Sequence, residues 1–113
     1  MKFTKLEAIK EMQEIGSHSI FLEGSEQLVS DICEPFGITP VWETFTPDEN
    51  SPKGPQPNWD SEKQDWDWTP YKGVDGFYLA SQINQACDGK PSSALGRGFA
   101  YRQDLSNARA MLE

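Results

Sequence analysis

Lysine and arginine are missing from residues 11 to 52, histidine occurs once, and cysteine occurs twice. The first absence excludes one class of function. With 10 basic residues against 18 acidic ones the net charge is -8, and a broad basic surface for direct nucleic-acid binding cannot be assembled. Cys33 and Cys87 are far apart in the chain and neither has a Cys or His neighbour at zinc-ligand spacing, so no metal is expected. No apolar run approaches the roughly 20 residues that span a bilayer, so no membrane association is expected. The segment Met1 to Glu7 lacks an apolar core, so no signal peptide is expected either. A cytoplasmic location follows as the expectation. In that reducing setting the two thiols are expected free and mostly buried, the alternative being a single disulfide.

Catalytic patterns are also lacking. His18, between Ser17 and Ser19, reads as a surface or capping residue rather than a general base. The segment from Asp60 to Asp65 lacks the sixth-position glycine of a calcium loop, and Gly89 to Ser93 lacks the glycine-rich turn of a phosphate loop. No enzyme activity and no cofactor are expected.

What the chain does hold is aromatic residues: 4 Trp, 3 Tyr and 6 Phe. That content is too high for a chain that stays unfolded, and 113 residues suit one domain, residues 1–113. Phe3, Leu6, Ile9, Met12 and Ile15 recur every three residues behind a Thr4/Glu7 capping box, and Gly16 stops the run. A second helix is expected from the cap Ser25 to Glu34, with Leu28, Val29 and Ile32 inward. Residues 19–23 suit either a strand or a helix, and Pro40 to Thr46 reads as a strand. Asp75 caps a third helix to Cys87, with Phe77, Leu79, Ala80, Ile83 and Ala86 inward and Gly89 at its end. Residues 98–102 suit an extended segment, and Asp104 to Leu112 a final helix with Leu105, Ala108 and Met111 inward. The expected class is α+β: about four helices packed on a short antiparallel sheet. A long Pro-, Trp- and acid-rich loop, residues 47–73, joins the two halves.

Charge is unevenly placed. Residues 1–70 carry 14 acids and 5 bases, whereas residues 71–113 carry 4 acids and 5 bases. Such an acidic half attracts a basic partner surface. The expected partner is therefore a basic protein, in its sharpest form a nucleic-acid-binding one whose phosphate groove the carboxylates occupy. Glu11, Glu14, Glu26 and Asp31 on the helices are the candidate contacts, with Trp59, Asp65, Trp66 and Asp67 in the loop. Indoles there would stack on arginine while the neighbouring carboxylates pair with it. The competing reading places Trp42, Trp66 and Trp68 in a small core. By analogy, such an inhibitor is the kind of protein viruses and mobile elements make. The alternative function is a small-molecule or nucleotide-binding module, in which Lys90, Ser92, Ser93, Arg97, Tyr101 and Arg102 cradle an anion beside an aromatic ring.

Overall fold

The computed structural model describes residues 2–16, 20–50, 55–92 and 96–113. Expectations for Ser17, His18, Ser19 and Ser93 fall outside the described residues. Helix α1, Lys5–Ile15, starts where its capping box places it: the Glu7 N–H donates to Thr4 Oγ1 (3.1 Å) and the Thr4 N–H to Glu7 Oε1 (2.9 Å). Gly16 stops it at φ 92, a region that favours glycine. The inward residues are Ala8, Ile9 and Met12. Helix α2, Glu26–Cys33, follows strand β1, Ile20–Leu22, which settles residues 20–22 as a strand. Ser25 precedes α2 without capping it through its side chain; its hydroxyl donates back to Leu22 O (2.5 Å), and Glu26 accepts the Gly24 N–H instead.

The sheet is built from the middle of the chain. Strand β5, Tyr71–Asp75, lies between β1 and β2, Glu43–Phe45, and pairs with both antiparallel. Strand β2 is shorter than the expected Pro40 to Thr46, since proline has no N–H for a ladder and the segment before Glu43 leaves the sheet. Gly73 sits at the centre of all three strands, opposite Leu22 on one side and Glu43 on the other. A Cβ there would run into Ile20 Cγ2 and come within 2.9 Å of Phe21 O. Only a bare backbone lets the strands close at this point. Phe21 and Val74, opposite one another, are the buried apolar side chains of the sheet.

Helix α3, Gly76–Ala86, starts directly after β5 because Asp75 Oδ1 accepts the Phe77 N–H at 3.0 Å. Leu79, Ala80 and Ile83 are buried as expected, but Ala86, the last residue of the helix, is exposed. The left-handed residue after α3 is Asp88 (φ 56) rather than Gly89. Gly89 is needed for space, because a Cβ would overlap the Asn84 side chain. Helix α4, Arg97–Leu112, takes in residues 98–102, which corrects the extended reading of that segment. Tyr101, Leu105 and Ala108 recur on one stripe and are buried; Met111, expected inward, is 56% exposed.

Among the described residues the fold is thus α+β, with four α-helices, a three-stranded antiparallel sheet and a separate two-stranded one. The shared core joins α1, α2, α3 and α4 to Phe21 and Val74. Tyr101 ties α4 to the end of α1 by donating its hydroxyl to Met12 O (2.6 Å), and its ring meets Phe77 edge-on at 5.9 Å. Cys33 and Cys87 are free, the first buried and the second half-buried. Burial pushes the Cys33 thiol up to about 11, which keeps it protonated and unreactive near neutrality.

Candidate partner-binding site

The segment expected as a long loop contains a β-hairpin. Strands β3, Asn58–Asp60, and β4, Asp65–Asp67, pair antiparallel, with Trp59 opposite Trp66 and Asp60 opposite Asp65. The turn between them is set by Asp60, whose Oδ1 accepts the N–H of Glu62 (3.0 Å) and of Lys63 (3.2 Å). Gln64 completes it at φ 54, a conformation uncommon outside glycine, and its side chain donates to Ser61 O at 2.8 Å. Thr69 holds Asp67, its N–H donating to Asp67 Oδ1 at 2.9 Å. The side-chain and then the backbone hydrogen bond of Thr69 lower the Asp67 pKa, so this carboxylate is charged near neutrality.

Strand alternation then separates two chemistries. Trp59 and Trp66 share one face, their rings edge to face at 5.1 Å and 77°. Asn58, Asp60, Asp65 and Asp67 take the other face. The indoles do not enter the core: Trp59 is 52% exposed and Trp66 51%. Of the tryptophans considered for a small core, Trp42 alone packs against it, half-buried. Trp66 and Trp68, on one side of the strand as the alternation requires, line a single pocket of about 250 Å³ with Asp48, Glu49, Pro55 and Pro57. The Tyr71 hydroxyl, donating to Gln56 O at 2.9 Å, fastens the approach to the hairpin onto the sheet.

The helical acids meet different fates. Glu14 is exposed and Glu11 half-buried on α1. Glu26 is exposed but engaged, its carboxylate accepting the Gly24 N–H, and this bond lowers its pKa. Asp31 corrects the expectation of a surface acid: it is 9% exposed and accepts from Gln27 Nε2 at 2.9 Å. The four helical acids therefore do not act as one uniform exposed row.

The alternative ligand segment is divided. Tyr101, its proposed stacking ring, lies in the core with its hydroxyl committed to Met12. The Lys90 carbonyl accepts from Asn84 Nδ2 (3.0 Å) and Asn107 Nδ2 (2.6 Å), which uses that backbone to join α3 and α4. Ser92 is half-buried in the connection, Arg97 opens α4 and Arg102 is exposed further along it. No group of metal-binding side chains occurs among the described residues. No helix among them is long and apolar enough to cross a membrane.

The chain matches no family model, no curated protein and no solved structure. Function therefore has to be argued from the hairpin itself. The signal that could have revealed it is the near-palindrome of Asn58-Trp59-Asp60 and Asp65-Trp66-Asp67 around a turn that Asp60 caps.

Proposed function

We infer that this protein is a non-enzymatic binding protein that docks on a basic partner and inhibits or regulates it. The observation that carries the reading is the hairpin: an exposed Trp59–Trp66 pair on one face and Asp60, Asp65 and Asp67 on the other. Exposed indoles cost free energy in a soluble protein, and rigid aromatics are the residues that dominate interfaces. Asp60 lies directly opposite Asp65, an arrangement that destabilises a hairpin standing alone and that a bound cation relieves. The partner is a basic protein that handles nucleic acid, and the carboxylates take the place of phosphates on its surface. Surplus negative charge also speeds encounter with such a surface.

The test is capture from a lysate on immobilised protein, with elution in steps of rising salt and an Asp65→Lys/Asp67→Lys variant run beside it. A basic nucleic-acid-binding protein that elutes only at high salt, is missing from the variant lane and is displaced by added nucleic acid supports the reading. A protein retained equally by both baits, or undisturbed by nucleic acid, opposes it.

A further inference from the structure

Beside the hairpin, the pocket of about 250 Å³ is lined by two indoles, two prolines, two carboxylates and Gln56. Two indoles, Trp66 and Trp68, form its walls, Pro55 and Pro57 contribute apolar surface, and Asp48 and Glu49 sit at its rim. Both indoles are open to solvent, 51% for Trp66 and 37% for Trp68, so their faces are available. Trp59, which is not among the lining residues, meets Trp66 edge to face at 5.1 Å. The Asn50 N–H fixes Asp48 by donating to its Oδ1 at 2.9 Å. An uncharged apolar guest would gain nothing from the two carboxylates, and an anion would be repelled. A cation with a flat, weakly hydrated face satisfies every wall.

We propose that this pocket binds the guanidinium group of an arginine side chain, presented by the basic partner. A guanidinium stacks on indole through its face while its edge donates to carboxylates, and its methylene stem packs on the proline rings. An ammonium is a more strongly hydrated point charge and gains less from the indoles. A tetraalkylammonium gains the indole contact but has no N–H to give Asp48 and Glu49. The proposal deepens the partner-binding reading and rests on it for the origin of the arginine. Its test needs no partner, so the two fail separately.

The experiment follows the indole N–H signals of the whole chain by NMR, at constant ionic strength. The probes are Nα-acetyl-arginine amide, Nα-acetyl-lysine amide and tetramethylammonium. The Trp66 and Trp68 signals shift saturably with the arginine probe, whereas that of Trp42, against the core, does not. The lysine probe and tetramethylammonium each bind at least about threefold more weakly. An Asp48→Asn/Glu49→Gln variant keeps the acceptor for Asn50 and weakens the arginine probe at least about fivefold. The exciton signal of the Trp59–Trp66 pair in far-ultraviolet circular dichroism verifies that its hairpin is intact. Shifts that do not saturate, shifts equal at Trp42, tetramethylammonium binding as tight as arginine, or an unaffected double amide variant overturn the proposal.

Discussion

Replacing Trp59 with valine separates the stability of the hairpin from that of the domain. Half of the Trp59 surface is covered, since 52% remains exposed. Of the ~200 Å² an indole can bury this is about 100 Å², worth about 2.5 kcal/mol at ~25 cal/mol per Å². The edge-to-face contact with Trp66 adds about 1 kcal/mol, and valine recovers part of the buried area. The net loss is about 2 kcal/mol, or roughly a 30-fold fall in the ratio of closed to open hairpin. A lone two-stranded hairpin is marginal to begin with, so the variant opens at residues 58–67. The core contains neither Trp59 nor Trp66, so the helices keep their cooperative melt. Amide exchange and circular dichroism read both scales at once. Exchange rises across β3 and β4, while Tm moves by no more than a few degrees. Were the hairpin part of the cooperative unit, the same loss would lower Tm by about 8 °C or more. A fall of that size, or amide exchange across β3 and β4 that stays as slow as in the wild type, refutes the reasoning.

Three further outcomes follow from the packing. Gly73→Ala forces a Cβ against Ile20 and the Phe21 carbonyl at the centre of the sheet, and costs about 1–3 kcal/mol in denaturant unfolding; a neutral result would mean that β1 and β5 are not paired at that register. Tyr101→Phe keeps the ring against Phe77 and loses the bond to Met12 O, so it lowers unfolding free energy by about 1 kcal/mol, checked by urea titration; no loss would place the hydroxyl elsewhere. The Cys33 thiol, pushed up to about 11 when folded, ionises near 8.5 in the unfolded chain. Its stabilising contribution is therefore complete below about pH 8.5 and declines as pH rises towards 11, and Cys33→Ala flattens that alkaline slope in urea midpoints.

Much of the helical framework was readable because its signals are local. Thr4 with Glu7, Gly16 and Asp75 each act within one turn of chain, and the structure uses each as the residue type requires. Where a signal depended on context, the reading slipped. Gly96 and Gly98 disfavour helix, yet α4 begins between them because Tyr101 and Leu105 gain burial against α1 and α3. Asp88 rather than Gly89 takes the left-handed position, because Gly89 is occupied with avoiding Asn84. The hairpin stayed hidden for a related reason. Its turn has Gln64 where a glycine or asparagine would announce it, and its strands are three residues each, too short for periodicity to register. Of the candidate site, the alternation of Trp and Asp was visible, but the cross-strand partnership of Trp59 with Trp66 was not. Asp31 was misplaced because a carboxylate in a segment without Lys or Arg looks exposed, whereas the fold buries it and Gln27 donates to it.

Asp65→Lys tests the docking account most directly, because it reverses a charge of the hairpin while leaving the hairpin in place. Opposite Asp60, a lysine turns a repulsive cross-strand pair into an attractive one, worth roughly 0.2–1 kcal/mol, which offsets the loss of the bond that Asp65 Oδ1 accepts from the Trp66 N–H (2.8 Å). The measurement is a calorimetric titration of the captured basic partner with wild-type protein and with Asp65→Lys. The account predicts affinity lower by about tenfold in a variant whose hairpin is still formed, as its Trp59–Trp66 exciton signal verifies. Unchanged affinity would contradict it and remove the hairpin from the interface.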